Sequence, residues 1–472
     1  MFRSALPIAF LTAVLSAAEP IRLHPDNPHY YLFRGKPTIL LTSAEHYGAV
    51  LNAEFDYVRY LDALARDGLN LTRIFSGVYR ELPGDFSIPD NTLAPAEGKF
   101  LAPFAVKGDK YDLRAWNPAF FDRLKRFVTE AGARGIVVEL SLFCVYYQDR
   151  MWEASPFHPK YNVNSLGDIP RQEALSLKHP ALLKIQEEFV RKVVGELRDF
   201  DNILYEICNE PYVRNLAADD WQRHIAKVIA DAEATFPHRH LIAQNIANFT
   251  RRVREPDPNV SILNFHYARP PVAAGQNWAL NRVIGLDETG FDGTLDGVYR
   301  IQAWDFLLAG GAHYNNLDYS FTVRHPDGTF AAPGTAPGGG SAELRRQLSI
   351  LRDFFGTLNF VRMNPAADFL LGPPAEGLSA RTLAEPGKSY AIYLHTGRAL
   401  SNYRPRYAYR TDNMSAHLAV NLPAGDYAVQ WWSPRSGKLG APASLNHPGG
   451  RAVLVTPEFS EDLAVTLSAG QR

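Results

Sequence analysis

The chain has 472 residues, 46% hydrophobic and 21% charged, an ordinary globular composition with room for roughly two to four domains. Its 49 Lys and Arg nearly cancel its 50 Asp and Glu, and no basic cluster stands out, which argues against nucleic acid or an anionic membrane as partner. Two cysteines, Cys144 and Cys208, exclude a disulfide framework and a cysteine-rich zinc site.

In chain order, the first signal is one of export. Arg3, an apolar run over 5–15 and the small residues Ser16-Ala17-Ala18 read as a signal peptide over 1–18, cleaved before Glu19, which predicts a secreted or periplasmic protein. The run is too short to span a bilayer, and no other segment is suited to cross one.

From about residue 37 to 360 strand and helix alternate. Residues 38–43 form an apolar strand, and Phe55, Val58, Leu61 and Leu64 recur at helical spacing until Gly68. Residues 69–75 are the second strand. A long Pro-, Gly- and Asp-rich loop leads to a helix carrying Phe121, Leu124, Phe127 and Val128. Strands follow at 136–143, 203–209, 241–245, 260–266, 282–287 and 313–317, with helices marked by Leu183 to Leu197, Trp221 to Ile229, Val298 to Leu308, and Leu344 to Phe355. Eight strands alternating with helices predict a (β/α)8 TIM barrel. The first strand runs into Ser43-Ala-Glu45-His46-Tyr47-Gly48, with no Gly-rich phosphate loop, which argues against an open doubly wound sheet. After residue 364 short alternating runs between Pro/Gly turns predict an antiparallel β-sandwich. The domains expected are the signal peptide, the barrel over 19–363, and a small all-β sandwich over 364–472.

Two carboxylates stand at predicted C-terminal strand ends, where barrels place catalytic groups. One is in Ile203-Leu-Tyr-Glu-Ile-Cys-Asn209-Glu210-Pro211, where the proline keeps Glu210 out of right-handed helical geometry. The other is in Val283-Ile-Gly-Leu-Asp-Glu288-Thr-Gly290, with Asp287 as an adjacent rival. Two carboxylates are what glycosidic cleavage requires, one to protonate the leaving oxygen and one to attack or to activate water. The rival chemistry is metal catalysis. His238-Arg-His240 is the tightest histidine pair, but it lies before strand five, at the wrong end of a barrel, and no HExxH motif is present. No metal and no cofactor are expected.

Asn-Glu-Pro on strand four with Glu-X-Gly on strand seven resembles the retaining glycoside hydrolases of clan A, closest to the cellulase-like family five, over about residues 25–360. The resemblance implies Glu210 as acid/base, Glu288 as nucleophile, and Asn209 on the sugar 2-hydroxyl. It also implies Arg73 as the arginine that steadies the nucleophile, and His266 and Tyr267 as the strand-six pair. Three departures stand out. His266 and Tyr267 are adjacent, Phe143 and Cys144 replace the usual strand-three histidine, and Tyr314-Asn315-Asn-Leu-Asp318-Tyr319 replaces the strand-eight tryptophan. The helix containing Ala303-Trp-Asp-Phe-Leu-Leu-Ala-Gly-Gly and the C-terminal sandwich resemble the apiosidase-like group of the same clan, which ends in a domain labelled collagen-binding. Glu45, His46, Tyr47, Asn315 and Asp318 are further candidates for binding sugar at the rim, and Trp278 for stacking on it. The expected activity is that of an O-glycosyl hydrolase acting by two-glutamate double displacement on a poly- or oligosaccharide. The alternative is a non-catalytic carbohydrate- or matrix-binding protein on an inert barrel.

Overall fold

The computed structural model describes residues 19–44, 47–400 and 406–470. The export signal lies outside them. Among the described residues no helix is long and apolar enough to cross a membrane.

Eight parallel strands form the central sheet: β1 (Leu40–Leu41), β2 (Leu71–Phe75), β3 (Val137–Cys144), β4 (Ile203–Asn209), β5 (Ile242–Asn248), β6 (Ile262–His266), β7 (Val283–Glu288) and β8 (His313–Tyr314). They hydrogen-bond in the order β1-β8-β7-β6-β5-β4-β3-β2. The seam between β1 and β2 is closed by Asn70. Its backbone N–H donates to the Leu41 carbonyl, its Oδ1 accepts from Leu41 N–H at 2.9 Å, and its Nδ2 donates to the Ile39 carbonyl at 2.8 Å. The result is a (β/α)8 barrel.

The outer helices follow the predicted pattern: α1 (Tyr57–Arg66), α2 (Pro118–Ala133), α3 (Pro180–Leu197), α4 (Asp219–Ala232), the short α5 (Val272–Asn277), α6 (Asp296–Leu308) and α7 (Ala342–Gly356). Asp56, Asn117 and Ser341 cap three of them, each side-chain oxygen accepting from a first-turn N–H. Strands one and eight are shorter than the sequence predicts. Residues Lys36–Thr38 belong to a separate antiparallel meander with Arg22–Leu23 and Tyr31–Phe33, and the chain leaves β8 after Tyr314.

The barrel interior is unusually polar for this architecture, whose layers are commonly branched apolar side chains. Arg73, Glu139, Glu206, Asn264, His266, Asp287 and His313 are all buried. In one group Asn264 Nδ2 donates to Glu139 Oε1 at 2.8 Å, and His313 Nε2 lies 3.2 Å from Glu139 Oε2. Gly285 fits beside this group because a Cβ there would stand 2.2 Å from Asn264 Oδ1.

The C-terminal sheet pairs Asn364–Pro365, β9 (Ser379–Glu385), β10 (Ser389–His395), β15 (Asp462–Ala469), β12 (Gly425–Ser433) and β13 (Gly437–His447) in that order. β11 (His417–Leu422) and β14 (Gly450–Val455) form a two-stranded second layer. Alternation along β12 sends neighbouring tryptophans to opposite faces. Trp432 is buried toward the barrel, edge-on to Phe354 at 5.5 Å, while the half-buried Trp431 packs on the sandwich core. The barrel-facing side covers α6, which is why that helix is buried from Gly297 to Leu308. Tyr393 stacks on Trp304 at 5.4 Å. Arg300 forms a two-pronged ion pair with Asp462, at 3.0 and 3.1 Å, and a further bond to Glu461 at 2.5 Å.

Candidate active site

Glu210 immediately follows β4, and Glu288 ends β7. A residue before proline ordinarily adopts extended backbone, yet Glu210 is left-handed at φ 49°. Asn245 on β5 holds it there: its Oδ1 accepts the Glu210 N–H at 3.1 Å, and its Nδ2 donates to Asp287 Oδ2 at 3.0 Å. A non-glycine side chain in that region stores strain, which surrounding structure must over-determine.

Arg73 projects from β2 into the centre. Its Nε and Nη2 donate to the two oxygens of Glu206 at 3.0 and 2.8 Å, Nη2 also donates to Asn209 Oδ1 at 2.6 Å, and Nη1 donates to the Tyr47 hydroxyl at 2.9 Å. Tyr47 in turn donates to Glu288 Oε2 at 2.8 Å, and Arg73 Nη1 lies 3.5 Å from the same oxygen. The Tyr267 hydroxyl donates to Glu288 Oε1. Both oxygens of Glu288 are thus oriented by neutral donors, with a fixed guanidinium alongside. With Oδ1 held by Arg73, the amide nitrogen of Asn209 points to the Tyr147 hydroxyl, at 3.0 Å. Tyr147 donates to Glu210 Oε2 at 2.7 Å.

His266 bridges the pair. Its Nδ1 is 3.1 Å from Glu210 Oε1 and 3.5 Å from Glu288 Oε1, and its Nε2 is 3.4 Å from Asp287 Oδ1. Burial opposes charging the ring, but the carboxylates of Glu288 and Asp287, with hydrogen bonds to Asp287 and Glu210, raise its pKa well above 6.5. An imidazolium here stabilises the fold fully below about pH 6.5, and that stabilisation is lost as pH rises through the folded value. The His266 ring should therefore carry protons on both nitrogens in a 15N NMR spectrum at pH 7.5, and a neutral ring would contradict this electrostatic account.

One oxygen each of Glu210 and Glu288 and a ring nitrogen of His266 all lie within 4.8 Å of one another, and so do oxygens of Glu139, Glu206 and Asp287. Either group is close enough to share a cation. A metal ligand must be deprotonated, so the charged state of His266 works against one in the first group, and Arg73 already neutralises part of the second.

The two carboxylates open onto a cavity of about 370 Å3, walled among others by Tyr47, Leu93, Tyr147, Phe249, Tyr267 and Leu317. No family model matches this chain, and neither does any curated protein. Solved structures do. A glycoside hydrolase superposes with TM-score 0.63 at 12% identity, over 96% of this chain and 97% of its own. A glycoside hydrolase family 5 structure from Bacteroides vulgatus ATCC 8482 gives 0.59 at 13%, over 95% and 93%. A glycoside hydrolase family 5 mannosidase from Rhizomucor miehei gives 0.50 at 12%, over 73% and 100%. What they share with this chain is the fold.

The structure brings Glu210, Glu288, Asn209, Arg73, His266, Tyr267 and Tyr47 together. Glu45 and His46 lie outside the described residues. Three expected sugar contacts lie elsewhere. Trp278 sits just before β7, at the barrel's opposite end, stacked on His29 at 3.5 Å. Asn315 is buried and donates to the Asp287 carbonyl at 3.1 Å. Asp318 is buried too, accepting from Ser43 at 2.8 Å and paired with Arg345 at 3.2 Å, so it braces the rim from beneath. Cys144 and Cys208 are free thiols, and Asn209 Nδ2 lies 3.5 Å from the Cys144 sulfur.

Sequence reasoning missed Tyr147, Asn245, Glu206 and Glu81. Tyr147 stands three residues past β3 and contacts Glu210 where a strand-three histidine was sought; a tyrosine pair just beyond a strand end was the available signal. Glu81 is a third carboxylate in the cavity wall, bonded by Asn91 Nδ2 and, at 3.3 Å, by the Tyr79 hydroxyl. Burial pushes it up from 4.5 to about 7, the Glu288 charge adding to the rise while the bonds from Asn91 and Tyr79 oppose it. The folded state then holds more protons than the unfolded between those values, so stability falls as pH rises through that window. Glu81→Gln should accordingly gain thermal stability relative to wild type at pH 8 and lose the advantage at pH 5. Equal differences at both pH values would show that Glu81 titrates normally.

Proposed function

We propose that this protein is a secreted retaining glycoside hydrolase that cleaves O-glycosidic bonds by double displacement, with Glu288 as nucleophile and Glu210 as acid/base. The observation that carries this reading is the approach of one carboxylate oxygen of Glu210 to one of Glu288 within 4.8 Å, across a shared His266. Retaining enzymes space them about 5–5.5 Å apart, whereas inverting enzymes leave about 6.5–9.5 Å for a water. The presence of glycoside hydrolases among the proteins of like fold, in the first comparison over nearly the whole of both chains, adds support. The finer reading, kinship with the apiosidase-like group, rests on the α6 segment and the C-terminal sandwich.

In the first step Glu288 forms a bond to the anomeric carbon as the bond to the leaving oxygen breaks, and that oxygen takes its proton from Glu210. In the second, water gives a proton to the Glu210 carboxylate while its oxygen attacks the same carbon and releases Glu288. Tyr47 and Tyr267 hold the attacking oxygens, and Arg73 and His266 supply positive charge around them. Such preorganised charge is where most catalytic stabilisation arises. Proton NMR of the first-formed product tests the reading. The anomer should be that of the substrate. Inversion, or no hydrolysis across a broad set of glycosides, would overturn it.

A further inference from the structure

Three phenylalanines line the same cavity as the carboxylates: Phe86 from the loop after β2, Phe249 just past β5, and Phe291 just past β7. Each is partly exposed, at 38%, 55% and 43%. Each is also in left-handed backbone, at φ 53°, 68° and 59°. For a bulky residue that conformation is an outlier, which persists only where the surrounding structure over-determines it. Each ring keeps a large exposed face turned to the cavity.

Their placement is tied to the chemistry. Phe86 meets Tyr147 edge-on at 5.3 Å, and Tyr147 donates to Glu210. Phe291 meets Tyr267 edge-on at 5.8 Å, and Tyr267 donates to Glu288. The Phe249 N–H donates to the carbonyl of His266, at 2.7 Å. Two of the rings therefore touch a tyrosine that holds a candidate catalytic side chain, and the backbone of the third is tied to that of His266. Backbone bonds pin the turns: Phe291 N–H donates to the Pro337 carbonyl, and the carboxylate of Asp85, beside Phe86, accepts from Leu82 N–H and pairs with Arg150. Ile88, Pro89, Leu93, Leu317 and Pro337 add apolar surface to a wall that Asp90, Asn91, Asn248, Arg269 and Arg406 also line. Phenylalanine offers area without a hydrogen-bonding tip, so these three rings cannot read hydroxyl groups.

We infer that Phe86, Phe249 and Phe291 form an acceptor site for an apolar leaving group, so that the substrates are glycosides of a hydrophobic alcohol or phenol rather than sugar–sugar linkages. This rests on the reading of Glu210 and Glu288 given above. The test compares methyl and octyl glycosides of the same sugar, whose alkoxide leaving groups are chemically alike, together with the matching disaccharides. In the wild type the octyl member should exceed the methyl member in kcat/KM by roughly tenfold or more, from burial of the added methylenes. In the triple variant Phe86→Gly, Phe249→Gly, Phe291→Gly that ratio should fall toward one. The kcat/KM for the methyl member should hold within a few-fold; a purely structural role would lower both members alike and leave their ratio unchanged. A wild-type ratio near one, or a triple variant that loses disaccharide hydrolysis alone, overturns the inference while leaving the glycosidase reading intact. No turnover of any of these glycosides, with no labelling of Glu288 by 2-fluoro glycosides, overturns that reading and the inference with it.

Discussion

Glu288→Gln should abolish turnover, with kcat/KM falling to background on every glycoside that the wild type hydrolyses. The amide keeps the size and leaves Tyr47 and Tyr267 to repack around it, but it cannot form the glycosyl ester. Glu210→Gln should differ in kind. Loss of general acid/base help costs typically 10²–10⁴-fold, and less in the first step when the leaving group is an activated phenol that needs no proton. Burst kinetics on a dinitrophenyl glycoside should then show glycosylation continuing while deglycosylation stalls, and azide should restore turnover by replacing the water that Glu210 no longer activates. Equal loss in both variants on the activated substrate, without azide rescue, would reverse or void the assignment. Both variants should remain folded, because glutamine keeps the side-chain shape and its amide oxygen still accepts one tyrosine hydrogen bond at each position, while at 288 the amide NH2 faces the second hydroxyl and can donate to its oxygen.

The second large effect concerns the joint between the domains. Arg300→Met should destabilise the protein by about 3–5 kcal/mol, the cost of leaving the buried carboxylate of Asp462 without its cation. Asp462 is fully enclosed and Glu461 nearly so, and Arg300 is the cation that contacts both on the buried face of α6. Tyr393 donates to the same Asp462 at 3.0 Å, and Trp304 stacks on Tyr393. Barrel and sandwich thus share one packed interface and should unfold in a single calorimetric transition, which moves down as a whole in the variant. Two separated transitions in the wild type, or a shift confined to one of them, would show that the sandwich is an independent module.

The elements that were legible share a physical reason. β4 and β7 are buried strands bracketed by turn signals, and a carboxylate at the end of such a strand stands out against an apolar run, so Glu210 and Glu288 were visible as a pair. Arg73, in the middle of β2, was visible only through the resemblance to the strand-two arginine of clan A. What stayed hidden depends on geometry across the barrel. Glu139, Glu206 and Asn245 sit within strand runs, and only closure of the sheet turns them inward to meet Arg73, His313 and Asp287. Trp278 was misplaced because its segment runs back to the strand starts. Asn315 and Asp318 were misplaced because β8 is two residues long, so the chain after it turns under the rim. The rim phenylalanines give no periodic signal at all, being single residues in loops whose left-handed backbone is set by tertiary hydrogen bonds.

The central claim, that Glu288 attacks the anomeric carbon, is tested most directly by trapping. Incubation with a 2-deoxy-2-fluoro glycosyl fluoride should inactivate the enzyme, and mass spectrometry of the digested protein should place one glycosyl group on the peptide containing Glu288. Label on Asp287 or Glu210, or reaction without any covalent adduct and with inversion at the anomeric carbon, would contradict the account.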